Sequence, residues 1–177
     1  MNLYLKEPTI NEMNEIIEMC EEIRSIDKDN VFEGLSNLKN ITKENFNDFL
    51  VELEKNKNIK LYKPHLVNQT TYLLMDECNH VYGGVNIRHE LNENLLNHGG
   101  NIGYLIRPSE RKKGYAKVML KLALEECNKL GIKKVLISCR KENIGSEKVI
   151  ESNGGIFEDE QYSKENNNTY KRYWITI

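Results

Sequence analysis

The fold of this 177-residue chain is decided by the stretch Arg111-Lys112-Lys113-Gly114-Tyr115-Ala116. It follows a strand-like run from Ile102 to Ile106 and opens a long amphipathic pattern from Tyr115 to Leu130. The first turn of a helix carries backbone N–H groups without partners inside the helix, and they point outward at the positive end of the helix dipole. Gly114 lets a ligand approach this backbone closely, and Ala116 keeps the next position small. The sequence therefore predicts an anion-binding loop between a strand and a helix.

Three consecutive basic residues, Arg111, Lys112 and Lys113, add positive charge around the same loop. A favourable contact between an anion and a helix N-terminus contributes about 0.3–1 kcal/mol, and up to about 2 kcal/mol when it is partly buried. Several such contacts acting together would anchor a pyrophosphate.

The segments around the loop read as alternating strands and helices. The runs 72–75 and 81–87 predict a hairpin, and a glycine after Leu130 ends the amphipathic helix before a short apolar strand at 134–139. Strand, helix and strand within about 35 residues form a right-handed crossover unit. A further segment, Asn143 to Ser146, precedes a short helical pattern that ends at Asn153-Gly154-Gly155.

The run from Ile106 to Ala116 resembles the V-x-P-x-x-[QR]-x-x-G-x-[GA] signature of the GNAT acyltransferases, and the segment from Asn143 to Ser146 resembles that family's N-x-x-[AS] segment. The resemblance covers roughly residues 70–177, with a first strand and helix before them. It implies a single GNAT-like domain over residues 1–177, of the α/β class (α+β type). The expected architecture is a mixed six- or seven-stranded sheet with helices on both faces.

The resemblance also implies acetyl-coenzyme A as co-substrate, without a metal. In the family, amides of this loop bind the pyrophosphate, which assigns that role to Arg111, Lys112, Lys113, Gly114, Tyr115 and Ala116. Asn143 and Ser146 would reach coenzyme A further along. The acyl carbonyl is expected on a backbone N–H of the preceding strand, around Leu105 and Ile106.

Acyl transfer to an amine needs a proton acceptor, because an alkyl amine with a pKa near 10.4 is only about one part in a thousand neutral at physiological pH. His89 is the leading candidate base, since it lies just past the third strand and imidazole titrates in the right range. The alternative is a solvated histidine at a strand end. His98 and Asn101 also border the acceptor side, and Arg88 either pairs with an acidic substrate group or is solvated.

One position departs from the family pattern. Many members have a tyrosine seven residues after the asparagine, where its hydroxyl protonates the leaving thiolate, but Ile150 stands there in this chain. Two functions therefore stay open. The first is an N-acetyltransferase that acts on an amine of a small molecule or peptide, and the second is a non-catalytic acyl-coenzyme A sensor or regulatory module.

Composition restricts the remaining classes. A formal charge of −2 argues against a general nucleic-acid binder, and the chain has no apolar run of about 18 residues that would cross a membrane. The four cysteines have no metal-type spacing, and no secretory signal is visible, so we expect a reduced, cytoplasmic protein. The aromatic strand from Tyr170 to Trp174 could pair with a second copy in a homodimer.

Overall fold

The computed structural model describes residues 2–27, 32 and 34–177, and seven strands form two antiparallel sheets in it. The first sheet has the order β1-β2-β3-β4 and the second the order β5-β7-β6. The strands are β1 Leu3–Lys6, β2 Gln69–Asp76, β3 Val81–Arg88, β4 Ile102–Ile106, β5 Lys134–Arg140, β6 Ile156–Ser163 and β7 Asn168–Thr176.

Four α-helices cover the sheets, and each buries one apolar face. They are α1 Met13–Ile26, α2 Phe46–Asn56, α3 Tyr115–Lys129 and α4 Ile144–Glu151. The helices α1 and α2 pack on one side of the first sheet, while α3 lies against its other side with the second sheet. Thr9 and Glu12, in the T-x-x-E pattern typical of a helix start, form a capping box before α1. None of the helices in the described ranges is long and apolar enough to cross a membrane.

The predicted α/β fold and strand count are confirmed, but the strands do not make one continuous mixed sheet. The two sheets meet where β4 lies beside β5, and a single isolated bridge, Gly100 with Ile137, joins them within the described residues. The aromatic strand proposed for dimer pairing is β7, which lies between β5 and β6. Both of its edges are hydrogen-bonded within the chain, so this strand cannot pair with a second copy.

Asn101 holds the two sheets together at this junction. Its backbone N–H donates to Leu136 O (2.6 Å), and its side-chain Oδ1 accepts the N–H of Leu136 (2.9 Å). On the other side, Asn101 Nδ2 donates to Arg88 O (3.1 Å). The residue is 2% exposed, so these bonds form away from water. We call this group of bonds the Asn101 seam.

Asn101→Ala should lower the free energy of unfolding by about 1–3 kcal/mol, because the buried N–H of Leu136 and the carbonyl of Arg88 would each lose a partner. Denaturant unfolding measures the change. Asn94→Ala is the matched control, since Asn94 is an exposed asparagine of the same connection. Equal stability of the two variants would contradict a structural role of the seam.

Candidate functional site

The loop between β4 and α3 has the geometry of an anion site. A short 3₁₀ turn, Pro108–Glu110, is followed by Lys112 with a φ of 62° and Gly114 with a φ of 90°. Gly114 is the N-cap residue of α3, and a Cβ at this position would meet nothing within 4 Å. The backbone at the start of the helix is therefore open to a ligand.

The N–H groups at the end of this loop and at the very start of α3 have no acceptors among the described residues. Further along the helix, the N–H groups of Lys117 and Val118 donate to Gly114 O. None of the five N–H groups of residues 112–116 donates to another group in the parts of the chain that the structure describes. Five unpaired donors at the positive end of a 15-residue helix fit a pyrophosphate.

The basic side chains are less free than the sequence suggests. Arg111 forms a two-pronged ion pair with Asp27 at the end of α1, and its Nε donates to Ile106 O (3.1 Å). Lys113 pairs with Glu110 (3.1 Å). Lys112 is exposed and has no carboxylate within 4 Å among the described residues, so it alone of the three keeps an uncompensated charge.

The first helix holds the loop through its acidic face. Arg107 Nε donates to Glu22 (2.7 Å) and its Nη1 to Glu15 (3.2 Å), while Glu22 also accepts from the N–H and hydroxyl of Ser109. Burial raises the pKa of Glu22, but the hydrogen bonds from Arg107 and Ser109 outweigh it and hold that pKa below its usual value. We call Glu15, Glu22 and Asp27 the α1 clamp.

A cavity of about 380 Å³ lies between β4 and β5, beyond the Asn101 seam. It is lined by the strand segments 102–104 and 138–140, by the π-helical turn Leu95–Gly99, and by Asn143 and Ser146 at the start of α4. The cavity lies toward the opposite end of β4 from the phosphate loop, since none of residues 105–116 is among its lining. Asn143 and Ser146, which the resemblance assigns to coenzyme A, border this cavity.

The strand register distinguishes Leu105 from Ile106. Arg107 N–H donates to Tyr82 O on β3 (2.9 Å), and hydrogen-bonded pairs alternate along an antiparallel ladder. Leu105 therefore also turns its N–H toward β3, where it is used in the sheet. The N–H groups of Tyr104 and Ile106 point the other way, toward β5. The register favours these two over Leu105 for contact with a ligand.

Tyr104 reaches across the cavity and is a residue that the sequence analysis missed. Its hydroxyl lies 2.7 Å from Ser146 Oγ, and burial raises its pKa to about 12. Asn143 Oδ1 accepts the N–H of Ser146 (3.0 Å), so this asparagine also caps α4 and leaves its NH₂ group for a ligand. A polar residue in an otherwise apolar strand was the available signal for Tyr104.

His89 lines neither the cavity between β4 and β5 nor a second one that lies between α2 and the strands β2 and β3. Its Nε2 is 2.9 Å from Thr70 Oγ1, and burial lowers its pKa. His98, on the π-helical turn, does line the first cavity. The geometry therefore favours His98 over His89 as a base near the thioester.

A second cavity of about 900 Å³ lies between α2 and the strands β2 and β3, and it shares Gly34 and Arg88 with the first. Between the cavities, the backbone at Gly34 passes close to the backbone of β4 at Gly103, because neither residue has a side chain. A Cβ on Gly103 would lie 2.7 Å from the Gly34 Cα. The second cavity thus lies on the side of the first sheet that faces α2, and Gly34 connects its wall with that of the first cavity.

Comparison with known families decides the assignment. Residues 3–156 match the model of the acetyltransferase (GNAT) domain. The chain belongs to the GNAT acetyltransferase family. No curated protein sequence matches it significantly.

Solved GNAT structures share the fold at low identity. RimL, a ribosomal L7/L12 α-N-protein acetyltransferase determined with coenzyme A, is 16% identical with a TM-score of 0.69, over 100% of this chain and 95% of that chain. The Vibrio cholerae spermidine N-acetyltransferase determined with coenzyme A and spermine is 17% identical with a TM-score of 0.63, over 98% and 95%. At these identities the likeness concerns the fold.

Gly114→Val should weaken coenzyme A binding about tenfold or more, because its side chain would stand where the pyrophosphate meets the loop amides. Isothermal titration calorimetry measures the affinity. Gly131→Val is the matched control, since Gly131 lies at the other end of α3 with a φ of 78° and open space around it. Both variants should lose a similar stability, about 1–2 kcal/mol for the left-handed conformation. Equal coenzyme A affinity of the two would contradict the loop assignment.

Asp27→Ala separates two roles of Arg111. If Arg111 positions the loop through the α1 clamp, then Asp27→Ala and Arg111→Ala should each weaken coenzyme A binding about threefold to tenfold, and the double variant no further. If Arg111 instead attracts phosphate through its charge, then removing Asp27 should tighten binding. We expect the weakening, because Arg111 Nε also fixes Ile106 O. Glu21→Ala controls for lost negative charge, since Glu21 is an exposed residue of α1 without an ion pair among the described residues.

Proposed function

We propose that this GNAT protein is an N-acetyltransferase that moves the acetyl group of acetyl-coenzyme A to an amine of a small molecule or peptide. The observation that carries the proposal is that β4 leads from the cavity between β4 and β5 to the loop at 112–116, whose amides have no acceptors among the described residues. Coenzyme A in the solved RimL and spermidine N-acetyltransferase structures supports the same donor.

In this proposal the donor is held by backbone more than by side chains. The amides of residues 112–116 bind the pyrophosphate, and Lys112 adds charge. The N–H groups of Tyr104 and Ile106 bind the pantetheine arm and the acyl carbonyl, and the free NH₂ of Asn143 donates at the opposite wall. These groups are fixed by the sheet and by helix ends, so little reorganisation is needed when charge develops on the carbonyl oxygen.

The chemical step is the attack of a neutral amine on the thioester carbonyl carbon, followed by cleavage of the carbon–sulfur bond. The amine loses one proton and the departing sulfur gains one. His98 lines the cavity and is the proposed acceptor of the amine proton. Tyr104 is protonated at neutral pH, because burial raises its pKa to about 12, and it transfers this proton to the departing sulfur and is reprotonated by water. It thus takes the place of the tyrosine that is absent at Ile150.

The proposal is tested by thiol release from acetyl-coenzyme A in the presence of a panel of amines, with mass spectrometry of the products. We expect thiol release that depends on an amine, with a product heavier by one acetyl group. Tight coenzyme A binding without any release would favour the sensor function instead. Desulfo-coenzyme A serves as the binding-only control.

Tyr104→Phe should lower kcat about 10²-fold while coenzyme A affinity stays nearly unchanged, because only the proton donor to the departing sulfur is lost. Steady-state kinetics and calorimetry measure the two quantities. Tyr162→Phe is the matched control, since Tyr162 is an exposed tyrosine of β6 whose hydroxyl bonds Asn167. In the parent protein we expect no descending limb from Tyr104 below about pH 10, because it acts in its protonated form. Full turnover of Tyr104→Phe would assign thiolate protonation to water.

A further inference from the structure

Arg88 differs from the other arginines that are fixed near the site. Arg107, Arg111 and Arg172 each contact at least one carboxylate. The Nη1 of Arg88 donates only to the carbonyls of Gly99 (3.3 Å) and Gly100 (3.1 Å), and no Asp or Glu of the described ranges lies within ion-pair distance of its guanidinium. Desolvation lowers the pKa of Arg88 to about 10.

The position of Arg88 makes this charge available to a ligand. It is the last residue of β3, and it borders both cavities where they adjoin. Its two contacts use Nη1, and all fully buried side-chain polar atoms of the described residues have partners. Nε and Nη2 donate to no group of the described residues, so they are not fully buried, and a ligand in the cavities that Arg88 borders can contact them. Their fork matches the two oxygens of a carboxylate.

The described surroundings leave the charge of Arg88 uncompensated. Among the described residues, the wall of the first cavity includes Arg88 and His98 but no Asp or Glu. Two described carboxylates, Asp48 and Glu52 on α2, lie in the wall of the second cavity, and the guanidinium of Arg88 donates to neither. A cationic charge that is taken out of water without a counter-ion is costly, and such costs concentrate where a ligand supplies the missing charge.

Coenzyme A phosphates are not the missing anion. Arg88 lies beside Asn101 at the start of β4, as the bond from Arg88 N–H to Asn101 O (2.8 Å) fixes. The phosphate loop follows the other end of the same strand, about 17 Å away for five residues. The anion at Arg88 must therefore belong to the second substrate.

We propose that Arg88 binds a carboxylate of the acceptor, so that the acceptor is an amine that also carries a carboxylate. This inference rests on the proposed N-acetyltransferase function and narrows its substrate class. A free amino acid and a peptide with an acidic side chain beside its terminal amine share this chemistry. A polyamine does not, because its positive charges would be repelled by an uncompensated guanidinium.

Arg88 has a structural contact as well, because Gly99 and Gly100 end the π-helical turn and their carbonyls need donors. Replacing it can therefore alter stability without any effect on substrate choice. The ratio of kcat/KM values for two substrates of one variant is independent of this effect, because both values are measured with the same fraction of folded protein. The test is built on such ratios.

The experiment measures kcat/KM by thiol release for pairs of acceptors that differ only in one carboxylate. The first arm compares glycine, methionine, phenylalanine and glutamate with their α-carboxamides. The second arm compares the dipeptide amide Ser-Glu-NH₂ with Ser-Gln-NH₂, and spermidine is the cationic acceptor. Arg88→Gln and Arg88→Lys are compared with the parent protein. Arg24→Gln is the matched control, because Arg24 donates to one backbone carbonyl, Ile41 O, and borders neither cavity.

The parent protein should prefer the carboxylate member of at least one pair by about 10- to 100-fold. Arg88→Gln should reduce this ratio to near one, Arg88→Lys should retain part of it, and Arg24→Gln all of it. A preference for the carboxylate in the first arm alone would identify a free amino acid as the acceptor. The same preference in the second arm alone would identify an acidic peptide.

Turnover of amides or spermidine at least equal to that of the acids would overturn the inference and leave the proposed function intact. An unchanged ratio in Arg88→Gln would also overturn it. Absence of thiol release with every acceptor would overturn the proposed function, and this inference with it.

Discussion

The Asn101 seam is the constraint on which the site depends, because it fixes where two sheets touch and hence where they separate. The backbone N–H and the side-chain oxygen of Asn101 form hydrogen bonds with Leu136 of the second sheet. The NH₂ group of the same side chain donates to Arg88 at the end of β3. Past this point β4 and β5 form no ladder, so the backbone groups of β4 that face β5 have no strand to pair with. Unpaired backbone at a buried edge is unfavourable unless a ligand or water satisfies it. A cavity lined by such groups is suited to a ligand that itself carries amides, as the pantetheine arm does.

A second constraint connects the two sides of the site. The α1 clamp holds the phosphate loop from the end of the helix that leads toward Gly34 and the acceptor cavity. Ion pairs on an open surface contribute little, but Glu22 also accepts from the backbone N–H and the hydroxyl of Ser109 in the loop. The arrangement fixes the loop's shape through α1. A displacement of the end of α1 would therefore alter the phosphate site as well as the acceptor side.

The sequence predicts what is local in this structure. The phosphate loop, the hairpin and the capping box each depend on residues close together in the chain, and their spacing is visible as a pattern. The interactions that assign roles are not local. Arg111 meets Asp27 across 84 positions, and Tyr104 meets Ser146 across 42. Arg88 and His89 are neighbours in sequence, yet the first borders both cavities and the second borders neither, because successive residues turn to opposite sides at a strand end. That difference cannot be obtained from residue types alone.

The structure thus offers two different kinds of group for anion binding, namely backbone N–H groups at the loop and a charged side chain at Arg88. At the phosphate loop, Arg107 and Arg111 are neutralised by α1, and the proposed attraction for a polyanion comes from oriented N–H groups and one free lysine. Dipoles fixed by a helix need no counter-ion, so such a site is compatible with a chain whose formal charge is −2. At Arg88 the reverse holds, since a full charge is kept in a partly dry place without a carboxylate partner among the described residues. Under the proposed function, an uncompensated charge placed there rather than at the loop makes the acceptor side selective. Binding by backbone suits a donor whose chemistry is constant, and binding by one charged side chain suits an acceptor that must be discriminated from other amines.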